Sequence, residues 1–236
     1  MKKSIGLFFV TLLLATVASE ALAQTDTYIR RPHRITIWLD GGLAIPSQPS
    51  EFSDLWNTTW PFSGGVGVSI FSWFEVAGGV KYGSFGISEI PAKSAIGVVT
   101  TAAIDGGSIS VLEYFGTARF IAVPSQRANP YAEVSLGLFE TSAEDLTVEA
   151  TDSGPEQTPA FTNTMESVNG IHVSFSAGIQ YALNESWTAY SKFAWNMNLN
   201  NDFAPRTLVA GPSGEEDVPS DSMQYGLVSV GIMIRL

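Results

Sequence analysis

The stretch MQYGLVSVGIMIRL, residues 223–236, decides the fold of this chain. Its aliphatic side chains fall at every second position, namely Val228, Val230, Ile232, Ile234 and Leu236. Ser229, Gly231 and Arg235 lie between them. A period of two is that of a β-strand, whose successive side chains point to opposite faces. The stretch therefore predicts a strand with one aliphatic face and one face that carries a charge.

Seven other stretches of the sequence alternate in the same way. Together the eight predicted strands cover residues 33–44, 62–71, 73–85, 108–123, 131–141, 168–183, 187–200 and 223–236. We expect Gly41, Gly42 and Pro46 to end the first strand, because glycine and proline weaken or interrupt strands. The sequence thus predicts an all-β fold in a single domain.

The connections between these strands alternate between short and long. Short turns are predicted near Ser72, at residues 124–130 and at residues 184–186. Long loops cover residues 45–61, 86–107, 142–167 and 201–221. Bacterial outer-membrane barrels have short periplasmic turns and long extracellular loops. We therefore predict an antiparallel up-and-down transmembrane β-barrel of eight strands, in which residues 223–236 close the sheet against the first strand.

The N-terminus has the three parts of a secretory signal peptide. Lys2 and Lys3 precede an apolar run at residues 5–17, and Ala21 and Ala23 form a small-x-small cleavage site. An N-terminal membrane anchor is the alternative, but the apolar run is short for one. We expect residues 1–23 to be a signal peptide and residues 24–236 to be the barrel domain, exported to the outer membrane.

Two kinds of eight-stranded barrel fit the alternation, and the charged residues separate them. A soluble lipocalin-like barrel turns its apolar face inward, whereas a membrane barrel turns it toward lipid. Eight charged residues share the faces that carry glycine, serine and threonine: Asp40, Glu75, Lys81, Glu113, Arg119, Glu133, Lys192 and Arg235. An Arg or Lys on the lipid face costs about 2–4 kcal/mol at the bilayer midplane. We therefore expect the polar faces to line the lumen and the aliphatic face of residues 223–236 to meet lipid.

The charges of such a narrow lumen must be paired. An eight-stranded barrel is just wide enough for its side chains to fill the interior, and a buried charge is tolerated only with a partner. Lys81 and Glu113 lie at similar depth on adjacent predicted strands, as do Arg119 and Glu133. We predict cross-strand ion pairs at both places, less than about 10 Å apart, that plug the lumen. Lys192 and Arg235 belong to the same charged interior.

The layout resembles the small eight-stranded outer-membrane barrels of the OmpA/OmpX type. The resemblance covers essentially the whole mature chain and rests on the signal peptide, the hairpin GGVGVSIF–WFEVAGGVKYGSF and the terminal VSVGIMIRL. It implies outer-membrane lipids, lipopolysaccharide and the barrel-assembly machinery as partners. Members of this family usually end in Phe or Trp, which that machinery recognises, whereas this chain ends in Leu236.

One spacing has the form of a catalytic site. His172 and Ser174 share a strand face and Glu185 follows, which resembles the His-x-Ser pair and downstream Glu of the lipid A 3-O-deacylase barrels. A triad needs the three groups within hydrogen-bond reach. The pair is predicted to point into the lumen and Glu185 to lie in a distant turn. We therefore expect a polar lumen histidine, and a lipid A deacylase-like enzyme is a remote alternative.

The long loops are acidic. Residues 142–167 contain six acidic residues and no Lys or Arg: Glu144, Asp145, Glu149, Asp152, Glu156 and Glu166. The formal net charge of the chain is −11, which disfavours nucleic acid as a partner. The sequence lacks calcium-loop spacing, dinucleotide fingerprints and cysteine, so we expect no metal and no cofactor.

The first long loop is rich in aromatic residues. Phe52, Trp56, Trp60 and Phe62 either line an entry for a hydrophobic ligand or fold over the barrel mouth and join the interfacial girdle. We favour the second interpretation and expect Ser50 to cap a helical turn that holds Phe52 and Trp56 on one side.

These patterns favour a non-enzymatic outer-membrane protein with a structural or surface-interaction role, exerted through its loops on an unidentified surface ligand. A small barrel that transports hydrophobic molecules or forms a narrow channel is the alternative.

Overall fold

A computed structural model describes residues 34–48, 52–53, 56–87, 102–124, 126–144, 146–150, 161–163, 167–199 and 222–236. Residues 1–23, the predicted signal peptide, lie outside these ranges. The strands within them are β1 (Ile35–Gln48), β2 (Phe62–Phe71), β3 (Phe74–Phe85), β4 (Ala102–Gly106), β5 (Ile109–Ile121), β6 (Ala128–Ala143), β7 (Leu146–Ala150), β8 (Phe161–Asn163), β9 (Asn169–Ala182), β10 (Trp187–Leu199) and β11 (Met223–Arg235). None of the helices in the described part of the chain is both long and apolar enough to span a membrane.

Eight of these strands form a closed antiparallel barrel in the order β1-β11-β10-β9-β6-β5-β3-β2. This confirms the predicted fold class. The barrel closes between β1 and β11, where Ile37 pairs with Ile234 and Leu39 with Ile232. The backbone N–H of Leu236 donates to the carbonyl of Ile35 at 2.9 Å, so the pairing continues to the end of the sequence.

The two ends of the barrel differ. Short connections join β2 to β3, β5 to β6 and β9 to β10 at the end where β1 begins and β11 finishes; we call it the turn end. The opposite end, where β3, β6 and β10 finish, is the loop end. The short turn at Ser72 and Trp73 is where the sequence predicted it.

The outer wall of the barrel is apolar and the inner wall is polar. Leu39, Leu136 and Val230 are each more than 60% exposed, whereas Glu113 is 0% exposed and Arg119 4%. A lipocalin-like barrel has the reverse arrangement. The structure therefore excludes that alternative.

Strand β1 is longer than the sequence predicted. It passes through Gly41, Gly42 and Pro46 and continues to Gln48. A Cβ at Gly42 would lie 2.1 Å from the carbonyl oxygen of Val228, so this glycine lets β1 approach β11 closely. Pairing of β1 with β2 stops at Gly41, and the missing N–H of Pro46 therefore falls on an edge without a partner strand.

Two predicted loops contain strands. β4 lies in the 86–107 segment, and β7 and β8 lie in the 142–167 segment; they form a separate sheet of order β4-β7-β8. β6 also exceeds its predicted bounds of 131–141 at both ends. Strands of three to five residues give too few alternating positions for the period to be read.

One acidic residue departs from the expected face. Glu140 is exposed on the outer wall, two positions after Leu138 and opposite Leu112. It lies near the loop end of β6, where the cost of a charge at a bilayer falls toward zero.

Candidate functional site

The lumen holds the charged residues of the barrel in clusters, and Glu113 is the centre of the first. Lys81 Nζ lies 2.6 Å from Glu113 Oε2. The Tyr225 hydroxyl donates to Glu113 Oε1 at 2.6 Å, and Asn198 Nδ2 donates to it at 3.2 Å. His172 Nδ1 is 3.4 Å from the same oxygen. We call these five residues the upper cluster, because they lie toward the loop end.

Strand register accounts for the upper cluster. Lys81 on β3 is the direct partner of Glu113 on β5, and His172 on β9 is the direct partner of Asn198 on β10. All four occupy inward positions, so two cross-strand pairs face each other across a narrow interior. Asn198 Nδ2, which donates to Glu113, ties the two pairs together, and Lys81 also donates to Asn196 Oδ1 of β10 at 2.6 Å.

Arg119 is the centre of a second group, nearer the turn end. Its Nη1 lies 3.2 Å from Glu75 Oε1, and its Nη2 lies 2.7 Å from Glu133 Oε1. Its Nε also donates to Glu133 Oε1 at 2.8 Å. Glu75, Arg119 and Glu133 are register partners on β3, β5 and β6, so one guanidinium joins the carboxylates of both neighbouring strands.

Asp40 and Lys192 form an ion pair that spans a strand. Lys192 Nζ lies 2.9 Å from Asp40 Oδ2, although β11 separates β1 from β10. The Tyr190 hydroxyl donates to the same oxygen at 2.9 Å, and the Ser63 hydroxyl donates to Asp40 Oδ1. This pair and the Arg119 group are the lower cluster.

Arg235 lies in the lumen at the turn end. It is buried, and its Nη2 donates to Gln180 Oε1 at 3.5 Å. The eight charged residues named from the sequence are thus all inward, and Lys81 is brought into direct contact with Glu113, as Arg119 is with Glu133.

Aromatic rings complete the lower lumen. Lys192 Nζ lies 5.4 Å from the centroid of the Trp38 ring, and Arg119 Cζ lies 5.0 Å from that of Tyr131. Cations at this distance from a ring face are attracted by its quadrupole. Each cation therefore has both a carboxylate and an aromatic neighbour.

The loop end of the lumen is closed by an apolar cap. Phe52 and Trp56 are buried, and their rings lie 5.8 Å apart. Phe52 also makes an edge contact with Phe85 at 5.2 Å, and Phe85 makes one with Tyr225 at 5.6 Å. The hydroxyl of that tyrosine belongs to the upper cluster, so the cap lies directly on the charged layer.

Phe52 and Ser53, in the loop before β2, are helical. Trp56 N donates to the carbonyl of Phe52 at 3.2 Å, and Trp56 Nε1 donates to the carbonyl of Gly107 at 3.2 Å. Trp60 and Phe62 are exposed instead. Phe52 and Trp56 therefore fold over the mouth as expected, whereas a place for Trp60 and Phe62 in the interfacial girdle stays a prediction; Ser50 lies outside the described residues.

A cavity of about 20 Å³ separates the two clusters. That volume is enough for one or two water-sized particles. An eight-stranded barrel is just wide enough for its side chains to fill the interior.

The catalytic-looking spacing does not form a triad. His172 Nδ1 lies 2.8 Å from Asn198 Oδ1 and 3.4 Å from Glu113, within the lumen. Glu185 is exposed in the turn between β9 and β10, at the other end of the strand that carries His172 and Ser174. His172 and Glu185 therefore do not form the triad that the spacing suggested.

A closed eight-stranded antiparallel barrel with an apolar outer wall is the fold of the small outer-membrane barrels. Solved structures share it, including the following two. Neisserial surface protein A is 13% identical with a TM-score of 0.50, over 86% of this chain and 97% of that one. The outer membrane protein OprG from Pseudomonas aeruginosa is 10% identical with a TM-score of 0.51, over 89% of this chain and 99% of that one.

At these sequence identities, the comparison with the two solved structures shows a shared fold and no more. No protein-family model and no curated protein sequence matches the chain.

Proposed function

We propose that the chain is an integral outer-membrane protein with a closed lumen, which acts through its loops in a structural or surface-interaction role and not as an enzyme. The observation that carries this proposal is the filling of the lumen. The cap, the upper cluster and the lower cluster lie in series, and passage of a solute requires all three to open. The part of the chain that is free to meet a partner is therefore outside the barrel.

The loop between β6 and β9 is the principal candidate for that contact. It contains β7 and β8, and its sequence carries six acidic residues without a compensating base. A surface of this charge attracts cationic partners and repels nucleic acid. A surface ligand of this loop is then basic, or is held through divalent cations.

The outer wall fits the lipid partners that such a location requires. The residues of β11 that face outward include Val228, Val230 and Ile232, which are all exposed, and Ile234 shares their face. They give β11 a lipid-facing surface beside β1. Assembly into this membrane requires the barrel-assembly machinery.

Protease shaving of intact cells tests the location and orientation together. Cleavage within residues 144–167 from outside, with the barrel fragment retained in the outer-membrane fraction and migrating faster without heating, supports the proposal. Protection of that loop on intact cells, with cleavage only after the outer membrane is opened, contradicts it.

A loop variant separates folding from the role of the loop. Replacing residues 145–166 by a short turn leaves the pairing of β6 with β9 unchanged, because that pairing runs from Ala128–Tyr181 to Glu140–Asn169. Heat-modifiable migration should therefore persist while the surface contact is lost.

Transport of small hydrophobic molecules, or conduction by a narrow channel, is the second candidate. The cavity between the clusters favours the narrow channel, because the charged and hydroxyl side chains that line it suit water and small ions. Steady current through the wild-type barrel would support this candidate over a closed lumen.

A further inference from the structure

The strand pair β4–β7 is a continuation of the pair β5–β6 beyond the loop end of the barrel. Gly106 pairs with Leu146 at the end of β4, and Ile109 pairs with Ala143 at the start of β5. The same number of positions separates these two pairs on both strands, so the register continues without an inserted residue. We call the pair β4–β7 the outer ribbon.

The outer ribbon joins the barrel through two glycines. Gly106 and Gly107 have φ angles of 79° and 75°, in the left-handed region that glycine adopts without strain. No other glycine among the described residues has a positive φ. One hydrogen bond, from the N–H of Glu144 to the carbonyl of Ser108 at 2.9 Å, joins the two strands beside them. The ribbon therefore bends here, at small residues of the kind that form hinges.

The cap is hydrogen-bonded to this bend. Trp56 Nε1 donates to the carbonyl of Gly107 at 3.2 Å, and the side chain of Trp56 is 2% exposed. The next residue, Asn57, is held near the end of β3, because its N–H donates to the carbonyl of Gly86 at 2.8 Å and its Nδ2 to that of Ile87 at 3.1 Å. The cap is thus held by its backbone beside β3 and by its indole at the bend.

This geometry links the angle of the outer ribbon to the position of Trp56. Rotation of the backbone at Gly106 and Gly107 turns the carbonyl of Gly107 away from the indole N–H. A buried N–H that has lost its acceptor is unfavourable, so the indole is then better placed in water than in the mouth of the lumen. The link acts in both directions, since a coupling free energy between two sites is reciprocal.

We propose that the outer ribbon and the cap form one conformational device: the bend at Gly106 and Gly107 holds Trp56 in the mouth of the lumen, and straightening of the ribbon releases it. A partner that binds the straightened ribbon thereby opens the cap. The upper and lower clusters still close the lumen below, so the device exposes the mouth and does not form a channel. The proposal rests on the surface role of the loop between β6 and β9, but its test uses no partner, so the two can fail separately.

Gly106→Val tests the link from the ribbon to the cap. Valine is strained at this φ, which favours opening of the bend, and the Gly107 carbonyl that accepts the bond is kept. The barrel is labelled with fluorotryptophan in micelles, and Trp56→Phe identifies the Trp56 signal in fluorine NMR by its loss. We expect the effect of a water-soluble paramagnetic probe on this signal to rise on the order of tenfold in Gly106→Val, within the range of typical coupling between sites.

Gly86→Val is the matched control for this substitution. Gly86 lies at the other end of the same connection, its φ is not positive, and an added Cβ would meet nothing within 4 Å. The Trp56 signal should therefore stay as protected as in the wild type. Heat-modifiable migration shows that each variant is folded.

Trp56→Phe tests the link from the cap to the ribbon. It keeps a ring in the cap and removes the bond to Gly107, so the amides of β4 and β7 should exchange faster with deuterium. Trp60→Phe is the comparison, because that side chain is exposed and should leave the exchange unchanged. An unchanged Trp56 signal in Gly106→Val overturns the proposal. Unchanged exchange of the ribbon amides in Trp56→Phe also overturns it, and this arm decides alone if Gly106→Val does not fold.

Discussion

The indole of Trp38 lies directly over Gly79 on β3. A Cβ added at Gly79 would come within 2.7 Å of Trp38 Cζ2, and one added at Gly65 on β2 would come within 2.8 Å of the same atom. Two glycines therefore make the space that lets a large ring fit a narrow lumen. The same arrangement recurs at Gly178, whose added Cβ would lie 2.7 Å from the Tyr131 ring.

Gly79→Ala should destabilise the barrel by about 1–3 kcal/mol, because the added methyl group overpacks the lumen against Trp38. The measurement is the urea midpoint of unfolding in lipid vesicles. Gly78→Ala is the matched control, since its added Cβ would meet nothing closer than 3.8 Å. Equal loss in both variants would contradict the role of Trp38.

Glu113→Ala should cost about 3–5 kcal/mol, because Lys81 is left buried without its carboxylate. Glu140→Ala, at an exposed position on β6, should change the unfolding midpoint little. In a double-mutant cycle, adding Lys81→Met should recover part of the loss, because both charges are then gone. Strictly additive losses would show that the two residues do not interact.

Trp56→Ala should cost about 3–5 kcal/mol and expose the loop before β2 to chymotrypsin, because the cap loses its indole and the bond to Gly107. Trp60→Ala serves as the comparison, since that side chain is 68% exposed. The account of the cap is wrong if Trp60→Ala opens the loop to the protease as much as Trp56→Ala does.

Val230→Arg should reduce the stability of the barrel in vesicles by about 2–4 kcal/mol, because its position midway along β11 places the charge at the bilayer midplane. Leu236→Arg should cost about 0–1 kcal/mol, because it lies at the turn end near the interface. Both native side chains are 66% exposed, so the pair differs in depth alone. Similar penalties at the two positions would argue against a spanning orientation.

The barrel was predictable from sequence because its strands are long enough to show their period. Ile35, Ile37 and Leu39 alternate with inward-facing side chains along the first half of β1, and the residues of β11 alternate along most of that strand. Adjacent-strand contacts such as that of Lys81 with Glu113 follow from depth along neighbouring strands. Short strands such as β8, with three residues, give no comparable signal.

Contacts across the lumen were not predictable in this way. The Asp40–Lys192 pair skips a strand, and Tyr225 reaches Glu113 from the far wall. Such contacts depend on barrel radius and side-chain length, and neither can be obtained by aligning neighbouring strands in the sequence. The prediction that β1 ends at Gly41 and Gly42 was wrong because glycine also occurs where strands pack closely, as Gly42 does against Val228 of β11.

Single-channel recording in planar lipid bilayers tests the closed lumen most directly. The account predicts that the wild-type barrel gives no steady current, because the cap and both clusters block the path. Steady single-channel current in the wild type that grows in Lys81→Ala would contradict it.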